Sequence, residues 1–323
     1  MNHGMNNSLP VVSVCVVTYN QAAYIEKCLL SVLGQEVDFP IEILVGDDAS
    51  TDETRHIIER IVNRFPDRLR VITAAKNQGA SANYQQLVRI TKGEFIAHLD
   101  GDDYWLAGKL AAQVSFLKSH EDCAAVYSNA IAVNEQGETI GRFFDESPAI
   151  IDLGYLLRRG NYLPHCSLVY RSMHRNIVID ANPPFLDYSL HLGFGRCGQL
   201  AVLSQPYAVY RVGAPLSAVA TQTALTLRLY WNAIEGCNGI ANEKSIHRAK
   251  ARFLSGCFAY LSHKKPGISV IQWIRTVLKS LPNKKIRLLA FAIFAVVGRK
   301  ISQIIDSLKQ PKGQRILYRT PRP

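Results

Sequence analysis

The sequence predicts an α/β fold, a mostly parallel central sheet flanked by helices, with a helical extension at its C-terminal end. Three observations carry that expectation. Within the first hundred residues, four short apolar runs alternate with three stretches of helical periodicity, the alternation that builds a parallel sheet. The runs are rich in β-branched residues and apolar on both faces, as strands covered on two sides must be. Three of them end in polar or acidic clusters, and open sheets of this kind gather ligands outside the carboxyl ends of their strands.

In chain order, Val11-Val12-Ser13-Val14-Cys15-Val16-Val17 reads as the first strand and ends at Thr18-Tyr19-Asn20. Ile25, Leu29, Leu30 and Val32-Leu33 share one helix face, which Gly34 closes. Ile41–Val45 is a second strand, running into Gly46-Asp47-Asp48-Ala49-Ser50-Thr51-Asp52. The next helix has Thr51 or Asp52 as N-cap and Ile57, Ile58, Ile61 and Val62 on its apolar face. Leu69–Ile72 is a short third strand, Asn83–Ile90 a helix, and Phe95–Leu99 the fourth strand. Beyond it lie a helix over Lys109–Lys118, a strand over Ala124–Ser128, a polar hairpin loop over Asn134–Glu138 and a helix over Ile151–Leu157. Strands over Cys166–Tyr170 and Val202–Arg211 flank a helix that starts near Asp187.

The fourth strand delivers Asp100-Gly101-Asp102-Asp103-Tyr104-Trp105, three carboxylates in four positions. An acidic turn of this kind is either a solvated strand end or a site for a hard divalent cation, since crowded carboxylates repel unless neutralised. Convergence with Thr18-Tyr19-Asn20 and Asp47-Asp48 on one sheet edge favours the site. No G-x-x-x-x-G-K-[ST] loop and no G-x-G-x-x-G follow the first strand, so a P-loop enzyme and a dinucleotide oxidoreductase are unsupported.

Charge is unevenly placed. The chain carries a formal +11, yet residues 250–323 hold 16 Lys/Arg against one acid, Asp306, while residues 1–249 hold 21 bases against 25 acids. A basic tail implies an anionic partner. It has no helix-turn-helix or RNA-binding signature, so no nucleic acid is expected. Helices over Ile268–Leu281 and Ile286–Leu308, with Trp273, Phe291 and Phe294 between basic clusters, suit the headgroup region of an anionic membrane. The alternative is a helical pair packed on the rest of the chain. The longest apolar run, Leu288–Val297, is too short to span a bilayer, and no secretory signal is visible. Seven scattered cysteines without a C-x-x-C pair read as free thiols in a reducing compartment.

The stretches VSVCVVTYN, EILVGDDASTDET, KNQGASANY and GEFIAHLDGDDYW, in that order, resemble the family 2 inverting glycosyltransferases of the GT-A fold; LDYSLHL and AVYR match more weakly. The resemblance covers residues 11–215, and implies a nucleotide-sugar-binding half over 11–106, an acceptor half over 107–215, a tail over 1–10 and a basic C-terminal region over 216–323. It implies that Asp48 reads the nucleotide base, with Thr18, Tyr19 and Asn20 lining the pocket and Asp100 beside the donor. Asp102 is then the principal contact for Mn²⁺ or Mg²⁺, with Asp100 and Asp103 as further ligands. Asp187 takes the place of the catalytic base; Leu186 stands where relatives carry an acid, and Val212-Gly213-Ala214 where several carry a histidine. His165 and His191 lie in the acceptor half, each either structural or catalytic. Trp105 reads as packing under the metal loop.

The expected partners are a nucleotide-diphosphate sugar, a UDP-sugar foremost, a lipid-linked or glycan acceptor and an anionic membrane surface. The expected place is the cytoplasm, peripheral on the inner face of the membrane, in cell-surface polysaccharide assembly. Two other readings are a catalytically silent nucleotide-sugar or membrane-binding module, and a nucleotidyltransferase. The latter needs a Gly/Arg/Lys-rich loop at the first strand, which Thr18-Tyr19-Asn20-Gln21 does not supply.

Overall fold

The computed structural model describes residues 9–213, 223–261, 270–280 and 315–318. The expected alternation is present as β1 (Val12–Thr18), α1 (Ile25–Leu33), β2 (Ile41–Asp47), α2 (Thr54–Arg64), β3 (Arg70–Thr73), α3 (Ala80–Arg89) and β4 (Phe95–Asp100). β1 is the hub. It pairs in parallel with β2 and β4, and all seven of its residues are buried. Each buried aliphatic side chain contributes about 1.5–3 kcal/mol, so β1 anchors the sheet. Its one internal polar group is satisfied: Ser13 Oγ bonds the Glu42 carboxylate and accepts the Gly93 amide at 2.8 Å.

Helix α3 docks closely on β2. Asn83 Nδ2 donates to the Gly46 carbonyl at 2.8 Å, and any side chain at Gly46 would overlap the Asn83 amide. At the start of α2, Asp52 accepts the Thr54 amide at 3.0 Å and the Ala22 amide at 3.1 Å. The N-cap position is Glu53 rather than the expected Thr51 or Asp52, and Asp52, one residue earlier, ties the helix start to the β1–α1 loop.

The second half departs from a simple parallel continuation. β5 (Tyr104–Trp105), α4 (Lys109–Ser119), β6 (Cys123–Val133), β7 (Thr139–Phe144), β8 (Ile150–Ile151), α5 (Leu153–Arg159), β9 (Val169–Arg171), α6 (Asn176–Ile179), α7 (Asp187–Cys197) and β10 (Gln199–Arg211) follow. The sheet order is β11-β7-β6-β9-β4-β1-β2-β3, where β11 is Arg315–Tyr318. β9 lies antiparallel between β4 and β6, and β10 runs parallel to β6. The Cys166–Tyr170 strand of the sequence reading is a 3₁₀ turn, His165–Ser167, followed by β9.

α8 (Thr223–Glu235), α9 (Glu243–Leu261) and α10 (Val270–Lys279) pack on this body, α9 against α5 and α10 against α9. Trp273, expected at a membrane surface, turns inward instead, its ring 5.3 Å from Phe253 and 6.4 Å from Trp231. The expected helix Ile286–Leu308 lies outside the described residues. Among the described residues no helix is long and apolar enough to cross a membrane.

Candidate active site

The three polar strand ends converge as the strand order requires. Thr18 stands opposite Asp47, and Val17 opposite Asp100, at the carboxyl edge of β1, β2 and β4. The loops beyond are stitched together: the Asn20 amide donates to Ser50 Oγ at 3.0 Å, the Thr51 amide to Asn20 Oδ1 at 2.7 Å, and the Gln21 amide to Thr54 Oγ1 at 2.8 Å. Tyr19 and Asn20 are half-buried beside them. The Asp48 carboxylate is buried and accepts the Gln78 and Gly79 amides at 2.9 and 2.7 Å, so it shapes the loop entering α3. Asp47, given no role above, keeps one buried carboxylate oxygen without a hydrogen-bond partner.

The acidic turn folds back on β1. The Gly101 amide donates to the Val17 carbonyl, and a side chain at Gly101 would overlap Gln21 Oε1 and crowd Thr18 Oγ1. Glycine between the two aspartates is therefore a steric necessity. Asp100 is 38% exposed. Asp102 is half-buried, and burial first, then the charge of Asp100, pushes its carboxyl up to about 6. Asp103 points into the protein: it is 3% exposed, accepts the Arg211 amide at 2.8 Å, and is held well above the usual carboxylate range by burial and then by Asp102 and Asp100.

Arg211 itself donates to the Asp102 carbonyl at 3.1 Å and to the Asn134 and Glu135 carbonyls at 2.8 and 3.0 Å, and lies 4.2 Å over the Tyr24 ring. The turn is thus clamped from β10. Trp105 packs beneath it as expected, donating from Nε1 to the Cys166 carbonyl and carrying the buried Lys109 ammonium 3.9 Å from its ring. Burial brings that lysine down to about 7.

Asp187 is the first residue of α7. Asn161 Nδ2 donates to its Oδ1 at 2.9 Å and the Tyr188 amide to the same oxygen at 2.7 Å. Burial raises its pKa despite those bonds, and the charge of Asp100 adds to the rise. Asn161 went unnoticed in the sequence because it sits 26 residues from its partner, in a loop with no periodic signal.

Three histidines run from the acidic turn to α7. His98 Nε2 lies 3.3 Å from Asp100, the His98 and His165 rings are 4.1 Å apart, and His165 Nδ1 is 3.1 Å from His191 Nε2. Burial holds His191 down to about 3 and His165 well below the usual range, so both are neutral near pH 7. His98 was unremarked in the sequence, hidden inside an otherwise apolar strand.

Among the described residues no group of three or more His, Cys, Asp or Glu side chains is arranged to hold a metal by itself. The acidic turn nonetheless fits a hard cation. Mg²⁺ is ordinarily held by one or two carboxylates plus phosphate oxygens and water, and Asp102 and Asp100 are two carboxylates whose mutual repulsion is already registered in the raised Asp102.

A central sheet whose parallel strands β1, β2 and β4 end in carboxylates has the architecture of the GT-A sugar-nucleotide transferases. TarS of S. aureus, in complex with UDP-GlcNAc, superposes with a TM-score of 0.66 over 93% of each chain at 22% identity, a likeness of fold. Residues 13–180 match glycosyl transferase family 2, and the chain belongs to that family. An uncharacterized protein of Mycobacterium tuberculosis is 33% identical over 201 residues, 62% of this chain and 58% of the relative. WfaP of Escherichia coli, a UDP-Glc:α-D-GlcNAc-diphosphoundecaprenol β-1,3-glucosyltransferase, is 33% identical over 181 residues, 55% of this chain and 66% of that protein.

Proposed function

We propose that this chain transfers a sugar, with inversion, from a nucleotide-diphosphate sugar to a hydroxyl of a glycan acceptor. The observation that carries the reading is the gathering of Thr18, Asp47-Asp48 and Asp100-Asp102 at the carboxyl ends of β1, β2 and β4 in a chain that matches glycosyl transferase family 2. Asp187 takes the proton of the acceptor hydroxyl as that oxygen bonds to the anomeric carbon, and the bond from that carbon to the diphosphate breaks with its electron pair leaving on the phosphate oxygen. A carboxyl that burial has made more basic suits the task, and Asn161 fixes its direction. One displacement inverts the anomeric centre.

Asp102 and Asp100 are the residues that would hold a divalent cation, Mn²⁺ or Mg²⁺, which when bound would supply positive charge beside the diphosphate. Asp103 supports the turn from within, its carboxylate already engaged by Arg211. Thr18, Tyr19, Asn20 and Asp48 form the nucleoside side. A UDP-sugar donor and a lipid-linked acceptor are the choices that the activity of WfaP supports, and the reading places the reaction in cell-surface polysaccharide assembly at the inner face of the membrane.

The test is turnover of a panel of UDP- and other nucleotide sugars with and without Mn²⁺, read as nucleotide release. Asp102→Ala and Asp187→Ala should each abolish transfer, by about 10³-fold or more, while the variants stay folded. Normal turnover by either removes that residue's role. Metal-dependent nucleotide binding with no sugar release from any donor would leave only a binding module.

A further inference from the structure

One edge of the sheet is completed by β11, a strand that no motif announces. It pairs in parallel with β7, Arg315 opposite Gly141 and Tyr318 opposite Phe144. The join is written into the partner strand. Gly141 has φ +157°, and any side chain there would overlap the Arg315 backbone, so only glycine admits the strand at this register. Arg159 locks the far end, donating to the Tyr318 carbonyl at 3.2 Å while pairing with Asp145 at 3.3 Å.

The docked strand presents one large ring. Tyr318 stacks on Phe143 with centroids 4.8 Å apart, and Phe143 meets Tyr210 edge-on at 5.1 Å. Phe143 is buried, yet Tyr318 remains 41% exposed. Arg159, which holds the Tyr318 carbonyl, and Asn161, which holds the Asp187 carboxylate, are two residues apart, so the strand and the carboxyl are anchored by one short stretch of chain. An open aromatic face beside a basic carboxyl has the make-up of a sugar subsite: the apolar C–H face of a pyranose covers the ring, while its hydroxyls find the phenol and carboxylate oxygens. The same polar fringe disfavours an alkyl chain, which would desolvate those oxygens without bonding them.

We propose that Tyr318, backed by Phe143 and Tyr210, forms the acceptor subsite and binds a pyranose ring whose hydroxyl faces Asp187. This rests on Asp187 being the base of a glycosyl transfer. On this assignment the C-terminal strand is part of the binding machinery, and Gly141 and Arg159 are the positioning residues that hold it there.

Saturation-transfer NMR tests it on the full chain loaded with UDP and Mg²⁺, using methyl α- and β-pyranosides of glucose, galactose and N-acetylglucosamine as probes. Ring protons of at least one pyranoside should take up saturation. Tyr318→Leu, which keeps an apolar residue on the strand but removes the ring, should weaken that signal at least fivefold; Tyr318→Phe should retain most of it. UDP affinity and the thermal midpoint should stay as in the parent in both variants. No saturation of any pyranoside, or an undiminished signal in Tyr318→Leu, would overturn the proposal. So would saturation of the chain but not the ring of octyl β-glucoside, which would give the surface to a lipid. Asp187→Asn separates the two readings: it should keep the pyranoside signal while losing transfer. Normal transfer by that variant would remove the base and leave the sugar-binding result standing.

Discussion

At the residue scale, Asp187 shows how opposing effects resolve. Two hydrogen bonds to Oδ1 favour the carboxylate, and burial with the nearby charge of Asp100 favours the acid; burial wins and the pKa rises. A raised carboxyl binds its proton more tightly in the folded than in the unfolded chain. Its stabilising contribution is therefore complete at pH below the unfolded value and is lost as pH rises through the folded one. At pH 7 the charge is a cost. Asp187→Asn, whose amide oxygen can accept the same two hydrogen bonds, should be inactive yet melt about 1–3 °C higher than the parent at pH 7. The gain should vanish as pH drops below the raised pKa. A lower melting point at pH 7 would show that the anion's hydrogen bonds, not its burial, dominate. In the same way, the acid limb of the rate profile should lie above the ordinary aspartate range.

At the element scale, the turn from Asp100 to Trp105 is shaped less by its own sequence than by Arg211. One guanidinium meets the carbonyls of Asp102, Asn134 and Glu135, a planar fork that a lysine cannot reproduce. Arg211→Lys should weaken Mn²⁺ binding about tenfold, equivalent to about 1.4 kcal/mol, measured by the spin resonance of free Mn²⁺ with UDP present. Unchanged binding would mean that the turn holds its form without the clamp. The contrast marks what was legible in the sequence. The convergence of Thr18, Asp48 and Asp100 follows from strand periodicity, because a parallel strand fixes which end its polar residues occupy. The separate fates of Asp102 and Asp103 do not follow, since in a turn neighbouring side chains diverge and the Arg211 amide that takes Asp103 lies 108 residues away. The antiparallel direction of β9, the partner of Asn161 and the strand β11 do not follow for the same reason. Each is set by partners distant in sequence, although the strand pattern at Val169-Tyr170 is itself legible.

At the scale of the whole molecule, the C-terminal helices are structural neighbours of the proposed base. Tyr230 of α8 accepts the Asn161 amide at 3.3 Å, and Arg252 of α9 donates twice to the Arg158 carbonyl, at 3.0 and 2.7 Å. This region braces the loop whose Asn161 bonds Asp187. With Trp273 and Val277 packed inward, α10 turns Arg275 and Lys279 outward. Membrane association, if it uses this surface, is then electrostatic rather than insertional, and its strength follows from counting charges. Each basic side chain near an anionic surface contributes about 1 kcal/mol, so Arg275→Ala with Lys279→Ala should reduce binding to vesicles of one-third acidic lipid by about 30-fold. The parent should dissociate as salt shortens the Debye length from about 10 Å at 0.1 M to about 3 Å at 1 M. Sugar transfer to a soluble pyranoside should be unaffected by the double substitution, since both side chains are exposed on α10. Binding that ignores both the substitutions and the salt would place the membrane contact on another surface, and binding absent from the parent would remove it.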